Sequence, residues 1–344
     1  MKPNTLLIFL LVLTIVSCKK DNKPTKPKVT DIYLAGAVNR KAAYWKNGEL
    51  VKVDTVNTYS PLISIAVQGD DVYTLGLLGT KGYNFICWKN GKELYKGDPD
   101  ADAIPRKLIV SGNDVYILAD VYATTNGEWR SHPTVFKNGI KIEVIDGVLW
   151  AGSTSMALKG NDIYVTGFIQ REGMRDAYVW KNGNPIRLSN SKWISEADAI
   201  TIQGNDIYIA GTGQSQKSGV CLVWKNQGVA DTLVSPYATP FSGSSATGIA
   251  VNGNDVYVGG MDSPGDPFGN AHVAHYSYWK NGVYALSNSV SASSSTYSGS
   301  AFYYNNNLYT AGSIGGRAGY WKDLEAVIVS EAFSEAYDIL IVEH

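Results

Sequence analysis

Five acidic residues in or beside the least repetitive segments of this chain could take part in acid–base chemistry. They are Glu128, Glu172, Glu196, Asp198 and Asp262. Hydrolysis of a glycosidic bond commonly uses two carboxyl groups that flank the bond, one as the acid and the other as the nucleophile or base. A pair with these roles could be drawn from the five residues. Their spacing in the sequence selects no particular pair.

Other residue types with catalytic potential form incomplete sets. His272 and His275 could bind zinc, but a zinc site needs further ligands that the sequence does not place beside them. The alternating carboxylates Asp98, Asp100 and Asp102 are similar to a calcium loop, yet Ile109 stands where a bidentate glutamate is expected. There is no Gly-x-Ser-x-Gly motif for a serine nucleophile. We therefore expect no catalytic residue set, no metal and no cofactor.

Aromatic, arginine and histidine side chains are concentrated in segments that differ between otherwise similar units. Variable loops on a rigid scaffold commonly carry binding sites, and exposed Trp and Arg are favoured contact residues. Each aromatic residue could instead pack its own loop against the body of the fold. The predicted ligand-binding residues are Trp129, Arg130, His132, Arg171, Arg175, Trp193, Phe268, His272 and His275.

The elements that would position these residues repeat one short phrase. The phrase Asp-Ile/Val-Tyr begins at Asp31, Asp71, Asp114, Asp162, Asp206 and Asp255, with a degenerate seventh copy at Asn307. A tryptophan or its substitute follows each copy: Trp45, Trp88, Phe136, Trp180, Trp224, Trp279 and Trp321. Seven units of about 45 residues fill positions 30–344, and this period is typical of a β-propeller blade. The sequence predicts an all-β, seven-bladed propeller with four-stranded blades.

Each unit can be divided into strands by its turn residues and apolar pattern. In one unit we predict strands over Ala197–Gln203, Asp206–Gly211 and Gly219–Lys225, followed by a fourth strand. In most units Lys-Asn-Gly lies between the last two strands and predicts a tight hairpin, because both turn residues of Asn-Gly must adopt positive φ. The repeated aspartate is predicted to be a turn residue that bonds nearby backbone. The tryptophan is predicted to pack one blade against the next.

The end of the chain supplies a strand that its beginning lacks. Ser334–Glu343 (SEAYDILIVE) matches Ser195–Gly204 (SEADAITIQG), whereas Asp31 begins a unit with no such strand before it. We therefore expect the C-terminal strand to pair into the N-terminal blade and close the ring, which would remove an exposed sheet edge.

The N-terminal residues are typical of export. Lys2 is followed by the apolar run 6–16 and then by Ile-Val-Ser-Cys ending at Cys18, which resembles a bacterial lipoprotein signal of the kind found in Bacteroidota. The resemblance implies that residues 1–18 form a signal peptide with its lipobox, that cleavage occurs before Cys18, and that Cys18 becomes lipidated. Residues 19–29 are polar and proline-containing and would form a flexible tether, and residues 30–344 would form the propeller.

The repeats themselves are similar to Kelch and HAF repeats. The pattern Ala177-Tyr-Val-Trp180-Lys-Asn-Gly183 followed by Leu188 is similar to HAF repeats, and Gly259-Gly260 to the Kelch double glycine. These resemblances imply the fold and no activity.

The expected function combines these features. A net charge of −1 argues against a nucleic-acid partner. We predict a non-catalytic protein that is anchored to the outer membrane through Cys18, with the membrane face undetermined. It would bind a protein or glycan through its variable loops, either as a monomer or as a subunit of an envelope complex. The alternative is a carbohydrate-active hydrolase or lyase.

Overall fold

The computed structural model describes the chain from residue 29 onward, with gaps. The described ranges are 29–53, 59–79, 83–125, 127–145, 150–188, 194–214, 219–236, 243–263, 275–286, 297–330 and 333–344. The regular structure in these ranges is β-strand. Within them no helix has the length and apolar character needed to cross a bilayer.

The strands follow one another along the chain with short connections. In chain order they are β1 (Thr30–Val38), β2 (Lys41–Lys46), β3 (Glu49–Lys52), β4 (Leu62–Gln68), β5 (Asp71–Gly79), β6 (Tyr83–Lys89), β7 (Lys92–Lys96), β8 (Asp102–Ser111), β9 (Asp114–Thr125), β10 (Glu128–Lys137), β11 (Ile140–Val144), β12 (Trp150–Lys159), β13 (Asp162–Arg171), β14 (Met174–Lys181), β15 (Asn184–Arg187), β16 (Ile194–Gln203), β17 (Asp206–Gln214), β18 (Gly219–Lys225), β19 (Asp231–Leu233), β20 (Gly243–Asn252), β21 (Asp255–Ser263), β22 (His275–Lys280), β23 (Val283–Leu286), β24 (Tyr297–Tyr304), β25 (Asn307–Ile314), β26 (Arg317–Lys322), β27 (Glu325–Ile328) and β28 (Ser334–Glu343).

These strands form four-stranded antiparallel sheets that pack face to face as the blades of a β-propeller. Five sheets are separate: β28-β1-β2-β3, β4-β5-β6-β7, β8-β9-β10-β11, β12-β13-β14-β15 and β24-β25-β26-β27. The sixth sheet has eight strands, β16 to β23. Within it, β18 and β20 are joined by one parallel pair, Gly219 and Gly243.

The predicted seven-bladed closed ring is wrong. The described residues form five separate four-stranded blades, and none of their sheets closes on itself. The sixth sheet continues from β18 into β20 because two glycines meet there, and a Cβ on Gly219 would lie 3.2 Å from the Cα of Gly243. Strand β28 pairs with β1, with Ile341 opposite Ile32, but this pairing belongs to a single four-stranded sheet.

The repeated phrase forms a clamp between the two tight turns of a sheet. Asn226 donates from Nδ2 to Asp206 Oδ1 (2.7 Å), and the N–H of Ile207 donates to Asn226 Oδ1 (2.9 Å). Lys225 Nζ lies 2.8 Å from Asp206 Oδ2 and 5.2 Å from the centre of the Tyr208 ring. The hydrogen bonds from Lys225 and Asn226 lower the pKa of Asp206. The aspartate therefore bonds side chains of the other turn, and the prediction that it bonds nearby backbone is wrong.

The same clamp begins at several other repeated aspartates. Five further aspartates each accept from an asparagine and form an ion pair with a lysine: Asp31, Asp71, Asp114, Asp162 and Asp255. The asparagine before glycine has positive φ in these turns, as at Asn47 (52°) and Gly48 (83°). The hairpin turns predicted from Asn-Gly are thus confirmed.

The repeated tryptophans are core residues, as predicted. Five of them are at most 1% exposed: Trp45, Trp180, Trp224, Trp279 and Trp321. Cys87 and Cys221 are buried free thiols. Large aromatic surfaces removed from water contribute much of the stability of such cores.

Asp338 on β28 connects inner strands of three sheets and is almost completely buried. It accepts from Ser64 Oγ (2.7 Å) and the N–H of Ile65 on β4, and from Ser300 Oγ (2.5 Å) on β24. Lys107 Nζ on β8 lies 2.9 Å from its Oδ2. A buried carboxylate costs little only when its oxygens are fully bonded in this way.

Asp338→Asn removes the negative charge that pairs with Lys107 and keeps a side chain of the same shape. We expect the free energy of unfolding to fall by about 3 kcal/mol, because the lysine is left without a counter-charge in a poorly solvated place. Urea denaturation of the full chain measures the change. The control is Asp71→Asn, which disrupts an exposed ion pair and should change the stability little. Equal losses in the two variants would contradict the role of Asp338.

Candidate functional site

The innermost strand of every sheet contains a β-bulge. The pairing register shifts within β4, β8, β12, β16, β20, β24 and β28. Bulges leave a residue without a cross-strand partner and redirect its side chain, and they are frequent beside active sites. The residues that the pairing register skips are Ile63, Arg106, Thr154, Asp198, Thr247, Gly299, Ser300 and Tyr337.

All of these bulge residues line one cavity, which we call the central cavity. Its volume is about 370 Å³, which lies within the usual range for small-molecule sites. Lys107, Ser155 and Asp338 also line it, so its wall is rich in charged and hydroxyl groups. A polar cavity formed where inner strands meet is the candidate functional site.

The glycine of the repeated phrase makes room for the bulge in most of these strands, whereas Ala119 occupies the corresponding position opposite the β8 bulge. A Cβ on Gly211 would lie 2.7 Å from Trp224 Cζ3 and would overlap the carbonyl oxygen of Glu196, just before the bulge. The neighbouring inner-strand carbonyl leaves no space for a Cβ at Gly36, Gly167 and Gly260 either. Glycine is therefore required at these positions because the bulged strand lies too close to leave room for a Cβ. It is not required by a positive φ.

Asp198 is the carboxyl group with the most unusual environment in the cavity. Burial raises its pKa to about 8, the negative charge of Glu196 adds to this, and a hydrogen bond from Thr212 opposes it. Thr212 Oγ1 donates to Asp198 Oδ2 (2.6 Å) and accepts from the N–H of Ala246 (3.2 Å). With a pKa of about 8, Asp198 is mostly a neutral acid at neutral pH.

A tyrosine–glutamate pair lies on another wall of the cavity. Tyr337 on β28 donates from its hydroxyl to Glu335 Oε2 at 2.6 Å. A nucleophile that is hydrogen-bonded to a potential base is the arrangement expected for covalent catalysis. Strands β20 and β24 lie between β16 and β28 and contact them in sequence, which separates this pair from Asp198.

Two cations occupy β8. Arg106 donates from Nε (3.0 Å) and Nη2 (2.8 Å) to Asp120 Oδ2. Asp120 is 1% exposed, and its Oδ1 accepts from the N–H and the hydroxyl of Ser153. The neighbouring Lys107 is held by Asp338. Both cations are therefore fixed by buried carboxylates.

Asp262, one of the five acidic candidates, is buried outside the central cavity. It accepts from Tyr284 OH (2.7 Å), from Ser244 Oγ (3.0 Å) and from Ser235. Its charge reinforces the effect of burial in raising the pKa of Tyr284. Since hydroxyl donors surround both of its oxygens, its position indicates a structural role.

The predicted binding residues on β10 lie on one long hairpin. The Trp129 side chain is 55% exposed and stacks on Tyr122 with 6.0 Å between ring centres. Arg130 donates to Glu128 Oε2, and His132 lies two residues further along the strand. These residues do not line the central cavity.

The other predicted binding residues are dispersed. Arg171 is exposed at the end of β13, while Arg175 pairs with Glu196 and lies 4.3 Å from the centre of the Phe168 ring. His275 has a buried Nδ1 without a hydrogen-bond partner in the described residues. Trp193, Phe268 and His272 lie outside the described residues. A binding role for the nine residues stays a prediction.

Two carboxylates of the calcium-like segment accept hydrogen bonds from backbone N–H groups. Asp98 Oδ1 accepts from the N–H of Asp100, and Asp102 Oδ1 accepts from the N–H of Tyr83 (2.8 Å). The described part of the chain contains no cluster of three metal-ligating side chains.

Sequence reasoning named Asp198 but missed most of the central cavity. Two signals were available. Arg106 and Lys107 interrupt the apolar strand β8. Charged residues are rarely found in a buried strand unless they are paired or have a function. The match between the segments starting at Ser195 and Ser334 also aligns Asp198 with Tyr337, although their shared bulge position cannot be read from the letters.

Comparisons with known proteins concern the fold. No protein-family model matches the chain, and no curated protein matches it. Similar solved structures include a puromycin-hydrolyzing peptidase of Mycobacterium tuberculosis, at 10% identity over 82% of this chain and 46% of that one (TM-score 0.45). Trypanosoma rangeli sialidase in complex with the inhibitor DANA matches at 10% identity over 86% of this chain and 56% of that one (TM-score 0.48). A thermostable family-43 glycoside hydrolase matches at 14% identity over 70% of this chain and 96% of that one (TM-score 0.40). The chain spans about half the length of the first two.

Gly211→Ala tests the dependence of the bulge on glycine. We expect a loss of about 1–3 kcal/mol in the free energy of unfolding, since the new methyl group meets the Glu196 carbonyl and the Trp224 ring. Gly243→Ala is the matched control, because a Cβ there meets nothing within 4 Å. Chemical denaturation compares the two. A stable Gly211→Ala protein would show that the bulge needs no such space.

Asp198→Asn should change how stability depends on pH. Between about pH 3.8 and about pH 8 the folded state holds a proton that the unfolded carboxyl has lost, so the stability of the unaltered protein falls as the pH rises. Asn cannot ionise, so the variant should lack this decline and be the more stable protein at neutral pH. Urea denaturation across this range measures it. Asp206→Asn, whose aspartate has a lowered pKa, should retain the decline.

Proposed function

We propose that this chain is a glycoside hydrolase and that the central cavity is its active site. The observation that carries the proposal is the combination of Asp198, whose pKa is raised to about 8, with Tyr337, which lines another wall of the cavity and donates to Glu335. General acid catalysis needs a group that is protonated near the working pH. Asp198 meets this requirement through its environment.

The first chemical step cleaves the glycosidic bond. Asp198 gives its proton to the bridging oxygen while the Tyr337 oxygen attacks the anomeric carbon and its phenolic proton passes to the Glu335 carboxylate. The bond between the anomeric carbon and the bridging oxygen breaks as the tyrosyl–sugar bond forms, and the alcohol leaves. Glu335 is needed because a neutral phenol is a weak nucleophile unless a base takes its proton.

The second step releases the sugar. Water attacks the anomeric carbon, the Asp198 carboxylate takes a proton from that water, and Tyr337 departs and recovers its proton from Glu335. Each residue thereby returns to its initial state. Two displacements at one carbon retain its configuration.

Asp338 is a poorer nucleophile than Tyr337 despite lining the same cavity. Its oxygens already accept from Ser64, Ser300 and Lys107, so attack on a sugar would break several buried interactions. Such a carboxylate stabilises the scaffold around the cavity.

A second candidate function is binding of a protein or glycan without catalysis. It is favoured by Trp129, which is 55% exposed and supported by Tyr122 on the β9–β10 hairpin. Large exposed aromatic side chains of this kind are frequent contact residues. This surface lies outside the central cavity, so the two functions are separable.

The location proposed for the protein rests on the N-terminal sequence. We propose that the chain is exported and lipidated at Cys18, that residues 19–29 tether it to the outer membrane, and that its repeats are of a Kelch/HAF-like kind. The support is the apolar run ending in Ile-Val-Ser-Cys, together with the repeat pattern. These residues up to position 28 lie outside the described ranges.

The test of the hydrolase compares Asp198→Asn, Tyr337→Phe and Glu335→Gln with the unaltered protein on a panel of aryl glycosides. Each variant should lower kcat by about 10²–10⁴-fold. For Asp198→Asn the loss should be smallest with dinitrophenyl leaving groups, which need no protonation. A fluorinated glycosyl fluoride should label Tyr337 covalently, which peptide mass spectrometry detects.

Thr201→Val on β16 serves as a control outside the cavity lining and should leave the rates unchanged. Failure of the unaltered protein to hydrolyse any member of the panel would count against the hydrolase. Ligand capture that depends on Trp129 and not on Asp198 would favour the binding protein.

A further inference from the structure

We infer that the central cavity takes a hexuronic acid residue, and that Arg106 binds the carboxylate of this sugar. The inference deepens the proposed function and rests on the same cavity as its site. It adds a substrate class, because it specifies a charged group on the sugar and the side chain that recognises it.

Arg106 is directed at the cavity and fixed in place. It is a bulge residue of β8, and its Nε and Nη2 are held by Asp120, which is itself held by Ser153. In the described part of the chain the remaining nitrogen, Nη1, has no hydrogen-bond partner. A guanidinium that is held along one edge presents its other N–H groups in a fixed orientation, which suits a planar carboxylate.

The charges on the cavity wall favour an anion. Arg106 and Lys107 are its cations, and Asp338 is its ionised acid, because Asp198 is neutral below about pH 8. The lining residues from β4, β12, β20 and β24 carry no charge. Asp120 is buried behind Arg106 and does not line the cavity, so the charged donors that a ligand meets there are the N–H groups of Arg106.

The remaining wall suits the rest of a sugar ring. Hydroxyl groups line the cavity at Thr154, Ser155, Thr247 and Ser300, and a sugar offers hydroxyl groups of its own as donors and acceptors. A volume of about 370 Å³ is sufficient for a single ring with its carboxylate.

Ionisation of Asp198 should weaken binding of the acid. Its negative charge appears as the pH rises through about 8 and opposes a ligand carboxylate in the same cavity. Glu196 lies on the same strand, but it pairs with Arg175 and does not line the cavity. The affinity for a uronate should therefore decline above this pH, and Asp198→Asn should abolish that decline.

Isothermal titration of D-glucuronate and D-galacturonate, each against its methyl ester, tests the inference without any turnover. The ester differs from the acid in charge and little else. We expect the unaltered protein to prefer an acid to its ester by at least about tenfold, as a charge-assisted arginine–carboxylate pair implies. Arg106→Lys should lose most of this preference while retaining a positive charge beside Asp120.

Arg106→Met removes the charge altogether and should abolish the preference, with thermal melting confirming that it folds. Arg187→Met, which changes an arginine that pairs with Asp176 outside the cavity lining, should leave it unchanged. Equal binding of acid and ester, binding of neither, or an unaltered preference in Arg106→Lys overturns the inference. If the acid is preferred but no uronide is hydrolysed, the hydrolase fails and the uronate site stands.

Discussion

The β-bulge in the inner strand of each sheet is the constraint on which the rest of the structure depends. A regular strand would alternate its side chains between the two faces of a sheet, and both faces are buried here against neighbouring sheets. One extra residue per strand interrupts this alternation and directs a side chain to the central cavity. The glycine on the next strand, Gly211 in the sheet that contains Asp198, allows the bulge to form without a clash.

The acidic residues in and behind the central cavity differ in whether they are paired with a cation. Asp338, and Asp120 behind the cavity wall, are each paired with a cation and accept further hydrogen bonds, which offsets the cost of burying a carboxylate. Asp198 has Thr212 as its side-chain donor and no cation, so burial keeps it neutral. A poorly compensated acid lowers stability at neutral pH, and such a group is typical of functional sites, where stability is exchanged for reactivity. The contrast supports the proposal that Asp198, rather than its neighbours, is the acid of the reaction.

The sequence predicts the strands better than their assembly. Turn chemistry and apolar alternation locate strands such as β18, whose predicted bounds Gly219–Lys225 are those of the structure. The count of separate blades was wrong, because a contact between Gly219 and Gly243 joins two sheets and leaves no mark on the local pattern. The cavity was largely missed for a similar reason. Arg106, Thr154 and Tyr337 share a position relative to a bulge, and a bulge shifts register without a residue signature of its own.

The variable hairpins and the central cavity are physically connected through β16. Arg175 on the β13–β14 hairpin pairs with Glu196, and two residues later the bulge directs Asp198 into the cavity. Because Glu196 contributes to the raised pKa of Asp198, the strength of its pairing with Arg175 affects how readily the acid holds its proton. A ligand that contacted Arg175 could thus alter the acid without touching it. The repeats supply a rigid frame, and residues that differ between repeats, at the hairpins and at the bulges, can act on one another through that frame.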